Sequence, residues 1–238
     1  MRRAKRQPFS VLLLDRTNVL RNAAPIPVFC ALLAAAGVAR AEIIERIAVS
    51  VGNSVITASD LEREIRVTSF LNRITPDFSP ANKRATAERM IEQALVRHEL
   101  QVSRYPGPEP SEADEELNEF RKEHFPTDAE FQAALRQAGV TRQEVKDELL
   151  WQLTLLRFIE VRFQPGIQVS EPEIEKYFEE KVKPAAQAAH PGKAIQLDDY
   201  RDDIAETLTG QRADQELDKW LKETRQRTEI VYHDEAFQ

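Results

Sequence analysis

From Arg46 the chain runs Arg-Ile-Ala-Val-Ser-Val-Gly-Asn-Ser-Val-Ile, two short β-branched stretches flanking Gly52-Asn53. Glycine tolerates positive φ, so this pair predicts a tight hairpin. The apolar period then changes from two to about 3.6. Leu61, Ile65, Val67, Phe70, Leu71 and Ile74 predict a first helix to about Arg73. Thr57 or Ser59 opens it, and Ser59-Asp60-Leu61-Glu62 has the spacing of a capping box. Ser79-Pro80 is a cap followed by proline at the first helical position. The second helix reaches about Ser103, with Ala87, Ile91, Ala94, Leu95, His98 and Val102 on one face. Pro106, Gly107, Pro108 and Pro110 break the pattern.

Beyond the break, Ser111-x-x-Asp114 predicts the start of a third helix carrying Leu117 and Phe120. Thr127-x-x-Glu130 opens a fourth, which Gly139 closes. Thr141-x-x-Glu144 is a capping box, with Val140 and Val145 placed as a hydrophobic staple. Val145, Leu149, Leu153, Leu156 and Ile159 give the fifth helix a broad apolar stripe, ended by Pro165-Gly166. Ser170-Glu171-Pro172-Glu173 opens a sixth helix through Ile174, Tyr177 and Phe178. Pro184 to Gly192 is expected as a small, alanine-rich loop. A long helix follows from about Leu197 to about Arg227, and Glu229-Ile-Val-Tyr-His233 has strand character. The predicted fold is mainly α, a multi-helix body with a small β-hairpin near the N-terminus joined by a C-terminal strand. A hairpin alone is marginal in water, and a third strand would stabilise it.

Residues 1–41 change the compartment. Basic residues from Arg2 to Arg21 precede an uncharged run, Ala23 to Ala39, that ends in Ala39-Arg40-Ala41. This is the pattern of a secretory signal cut before Glu42, and the alternative is an uncleaved membrane anchor. Cleavage removes seven basic residues and one acid, leaving 26 basic and 39 acidic side chains, a formal net charge of −13. Cys30, the single cysteine, leaves with the signal, so no disulfide or thiolate chemistry is expected. Such acidity disfavours nucleic acid and anionic membranes as partners. Only 7 glycines in 238 residues argue against glycine-rich nucleotide loops.

Three segments, in order, resemble the SurA family of periplasmic chaperones and prolyl isomerases. Ile47-Ala-Val-Ser-Val-Gly-Asn-Ser-Val-Ile-Thr-Ala-Ser-Asp-Leu61 is similar to the family's opening hairpin and helix. Ile167-Gln-Val-Ser-Glu-Pro-Glu-Ile-Glu-Lys-Tyr-Phe178 resembles the segment that precedes its parvulin-type isomerase domain. Gln215-Glu-Leu-Asp-Lys-Trp-Leu221, followed by Ile230-Val231, resembles the closing helix and strand. Where isomerase-bearing members insert a domain, only Pro184 to Ala194 stand here, far too few residues to fold as one. The resemblance implies a SurA-type chaperone core without its isomerase: residues 42–165 as the N-terminal core, 166–193 as connecting helix and loop, and 194–238 completing the core.

That resemblance implies an ATP-independent periplasmic chaperone holding unfolded clients, outer-membrane protein precursors among them, in an apolar groove. It implies no cofactor and no stable membrane insertion after signal cleavage. The client-binding candidates are Phe70, Ile74, Phe78, Phe125 and Phe131, with Trp151 and Phe163 beside them. Phe78 and Phe125 lie next to prolines at helix boundaries and are expected to be the most exposed. For each, ordinary core packing is the competing reading, because apolar residues at helical spacing usually serve that. His98 is expected in the core, and His124 and His190 at solvent-facing helix ends. None of the four histidines has metal-ligand spacing. Glu109, Glu112, Asp114, Glu115 and Glu116 suit the positive end of the third helix better than a cation site. No catalytic arrangement is legible. The rival functions are residual prolyl isomerisation and an envelope assembly module with one partner.

Overall fold

The computed structural model describes residues 45–192 and 194–238. The expected signal lies outside the described residues. Strands β1 (Ile47–Val51) and β2 (Ser54–Thr57) form the hairpin, with Gly52 at φ +55° in the turn. Strand β3 (Ile230–Tyr232) pairs antiparallel with the other side of β1, giving the order β2-β1-β3. Ser50 stands opposite both Val55 and Val231, so the last strand supports the first as expected.

Helix α1 (Ala58–Leu71) begins at Thr57, whose hydroxyl accepts from the Asp60 N–H while the Asp60 carboxylate accepts from the Thr57 N–H. Ser59 is therefore inside the helix and not its cap. Helix α2 (Pro80–Ser103) is capped by Ser79. Helix α3 (Pro110–His124) starts earlier than Ser111 suggests: Glu109 takes the N-cap position and pairs reciprocally with Glu112, with Pro110 at the first position. Helix α4 (Asp128–Ala138) runs from its Thr127 cap to Gly139 at φ +67°. Helix α5 (Arg142–Arg162) carries the Thr141–Glu144 capping box, and both Val140 and Val145 are buried in one cluster.

Helix α6 (Glu171–Tyr177) starts at its Ser170–Glu173 box and continues through a π-helical turn, Phe178–Val182, into α7 (Lys183–Ala189). The expected loop is thus partly helical. Alanine is the strongest helix former, and the π-helical turn leads directly into Pro184, which has no N–H to donate to the turn before it. After a short 3-10 turn, Leu197–Asp199, helix α8 (Arg201–Arg227) leads back to β3.

Burial follows four joined clusters. The sheet, through Val49, Val51 and Ile56, packs on Leu61 of α1, on Ala87, Ile91 and Leu95 of α2, and on Phe237. The far half of α1 packs with α3, α4 and the start of α5 around Phe131. Val96, Trp151 and Phe158 join α2 and α5 to Trp220 of α8. Ile174, Phe178 and Ile204 join α6 to α8, tied at the rim by the Arg212–Glu173 pair. The result is a mainly helical body with a small three-stranded sheet that contains the N-terminal hairpin and the C-terminal strand.

Candidate functional site

A cleft of about 660 Å³ opens between the free side of β2 and helices α1, α2 and α5. The Ala58 N–H donates to the Arg46 carbonyl, so residues of that parity on β2 face β1. Antiparallel alternation then turns the N–H and C=O of Val55 outward, at the edge of the sheet. Val55 is 55% exposed and lines the cleft, with its side chain on the open sheet face beside Ser50 and Val231. Val67, Met90 and Ala94 supply apolar surface below.

The walls are charged. Glu64 comes from α1 three residues after the core residue Leu61, and Glu148 from α5 three residues after the core residue Val145. Each therefore sits on the flank of its helix's apolar stripe and is carried inward by the packing of its neighbours. Burial pushes the Glu148 carboxyl up to about 7, and the Glu64 carboxylate adds to the push. The hydrogen bond from Gln152 at 3.0 Å, with Arg97 and Arg89 nearby, opposes it without prevailing. Burial likewise raises Glu64, against a 3.4 Å contact from the Gln93 amide and the fields of Arg89 and Arg97. Among the described residues neither carboxylate has an ion-pair partner.

Glu144, one turn earlier on α5, shows the contrast. Burial works against its charge, but the hydroxyl and N–H of Thr141 both donate to it at 2.7 Å, and Arg63 and Arg66 lie nearby. These outweigh burial and hold its carboxyl below the usual range. The cations of the cleft are also engaged elsewhere. Arg63 bridges to Asp60 at 2.9 Å and to Glu144 at 3.5 Å. Arg97 lies 4.0 Å over the Trp151 ring, and burial lowers its pKa against the raising influence of Glu148 and Glu64.

The unpaired Glu148 makes a testable statement about stability. Its folded value lies above the ordinary 4.5, so the folded protein holds the proton more tightly than the unfolded chain. That contribution is complete below pH 4.5 and is lost as pH rises through about 7. We expect Glu148→Gln to stabilise the protein at pH 8 by up to about 2 kcal/mol, allowing for solvent screening, and to change little at pH 4.5. Urea denaturation at both pH values checks this; equal effects at the two would show that burial does not penalise the carboxylate.

The sequence candidates fall elsewhere. Phe131 is fully buried, and Phe125 is half-buried and stacked on Phe70 with centroids 5.9 Å apart. With Phe120 they form an aromatic cluster inside the body, so Phe125 is not the exposed residue its neighbouring proline suggests. Trp151 is buried, and Phe163 packs against Phe158. Ile74 and Phe78 do remain exposed, between α1 and α2, with Arg66 over the Phe78 ring at 5.2 Å. Neither lines the cleft.

His98 is exposed on the cleft wall and not in the core, although it shares the helix face of the buried Ala87 and Ile91. His190 is exposed as expected, whereas His124 is half-buried against the edge of Phe120. The acidic start of α3 is partly spent on structure: Glu112 pairs with Arg157 at 3.6 Å and Asp114 with Lys146 at 2.6 Å, both on α5. Among the described residues no group of His, Cys, Asp and Glu is arranged to hold a metal. The cleft itself has an apolar base and ionisable walls. Glu64, Glu148 and Arg97 were not among the candidates; the signal for them is a charge at helical spacing from core residues.

No protein-family model matches the chain, and no curated protein matches it.

Proposed function

We propose that the protein is an ATP-independent holding chaperone, exported to the periplasm, that keeps unfolded precursors soluble in transit, outer-membrane proteins among them. The observation that carries this reading is the cleft's combination of an open strand position with an apolar base. An extended client can bond the Val55 backbone as an added strand while its apolar side chains cover Val55, Val67, Met90 and Ala94. Charged walls keep water in the site, so capture is weak and reversible, as suits a client that must leave. The three sequence segments resembling the SurA family support the same reading, and residues 1–41 support export. No helix among the described residues is long and apolar enough to cross a membrane.

The test is light scattering from an unfolded barrel protein diluted from urea with and without an equimolar amount of the purified chain. Suppressed aggregation is expected, and Val55→Asp is expected to weaken it by burying a charge against the client. Unchanged scattering with the parent protein overturns the proposal.

A further inference from the structure

We propose that the cleft selects extended polypeptide segments that bring a lysine or arginine side chain between Glu64 and Glu148. This deepens the chaperone reading and rests on its claim that the cleft takes polypeptide. The two carboxylates stand on different helices, α1 and α5, facing one space large enough for a side chain. They are close enough for the charge on Glu64 to disfavour that on Glu148. Their hydrogen-bond donors are the neutral amides of Gln93 and Gln152. The guanidinium groups whose fields reach them, Arg97 and Arg89, form no ion pair with them: Arg97 lies on the Trp151 ring and Arg89 donates to the Thr86 hydroxyl at 2.9 Å.

Among the described residues such a site lacks a directly paired positive charge. A basic side chain entering from a strand laid along Val55 supplies it, converting two partly desolvated carboxylates into a shared ion pair with charge-assisted hydrogen bonds. A neutral side chain leaves the repulsion in place, and an acidic one adds to it. The selection is therefore electrostatic and local. It differs from the general acidity of the chain, which repels like-charged clients at long range and is screened by salt.

The experiment measures binding of three fluorescent peptides of one length and apolar content, with lysine, glutamine or glutamate at the centre, to the full chain. Anisotropy is expected to give the lysine peptide about tenfold tighter binding than the glutamine peptide, a difference of about 1.4 kcal/mol. The glutamate peptide is expected to be the weakest. In E64Q/E148Q the lysine preference is expected to vanish, the lysine and glutamine peptides then binding alike. In E115Q/E116Q, which removes two exposed carboxylates of α3, the preference is expected to survive. Equal binding of all three peptides, a preference that survives E64Q/E148Q, or an equal loss in E115Q/E116Q each overturns the inference and leaves the holding function standing. If no peptide binds and aggregation of the barrel protein is also unchanged, the chaperone reading falls and takes this inference with it.

Discussion

Phe131→Ala is expected to destabilise the protein by about 3–5 kcal/mol, the usual cost of emptying a buried phenylalanine site. The ring is fully buried, with Phe125 at 5.2 Å and Phe70 at 6.1 Å between centroids. Arg142, at the start of α5, covers it at 5.4 Å, and Leu135, Val140 and Val145 close the cluster. Four helices, α1, α3, α4 and α5, meet at this point, so the cavity cannot collapse by moving one of them alone. Ile74→Ala, at a side chain 64% exposed, is expected to change stability by no more than about 0.5 kcal/mol. Urea denaturation of the two variants side by side separates a core role from a surface role. If Phe131→Ala were as mild as Ile74→Ala, Phe131 would not be the packing centre of these helices. Failure of a Phe131 variant to suppress aggregation is therefore expected to reflect lost stability, because its side chain lies in the core and not in the cleft.

The contrast between those two residues shows where sequence reasoning runs out. Hairpin, helix order and most helix starts were legible because they depend on neighbours a few positions away: Gly52 in its turn, and Ser79, Thr127, Thr141 and Ser170 as caps. The start of α3 was missed by two residues because glutamate is an uncommon cap and only its reciprocal bond with Glu112 reveals it. Helix α7 was missed because its proline and alanines suit a loop or a first turn equally, and continuity from α6 decides between them. Whether an aromatic side chain is covered depends on elements far away in the chain. Phe125 follows α3, yet it is covered by Phe70 of α1 and Phe131 of α4. The cleft was illegible for the same reason. Glu64 and Glu148 are ordinary acids on amphipathic helices until α1 and α5 set them across one space, and only then does the missing countercharge become visible.

Removing residues 229–238 is expected to unfold the sheet end of the body. Strand β3 carries the hydrogen bonds from Gly52 to Glu229 and from His233 to Ala48, and without it β1 becomes an edge over Leu61, Ile91 and Leu95. Phe237, 1% exposed, fills the space beneath the sheet, with Arg84 at 4.8 Å over its ring. Phe237→Ala alone is expected to cost about 3–5 kcal/mol. The strand is also anchored by a polar triad across α2, α8 and β3. Arg225 donates to Glu88 at 2.7 Å and to the Tyr232 hydroxyl at 2.6 Å, and that hydroxyl donates to Glu88 at 2.6 Å. Tyr232→Phe keeps the ring and is expected to cost only about 1 kcal/mol, since Arg225 still holds Glu88. A domain with about 5–15 kcal/mol of total stability survives the hydroxyl loss, and Phe237→Ala draws on much of that margin. Loss of the whole segment combines a large cavity, a broken ladder and the freed triad, and exceeds it. Circular dichroism melting of the three variants, with amide exchange at Val49 and Val51 as the local probe, gives the order directly. Melting of the truncated chain within a few degrees of the parent would show that β1 and β2 stand without β3. In that case the edge at Val55, on which the cleft depends, is held by α1 and α2 alone.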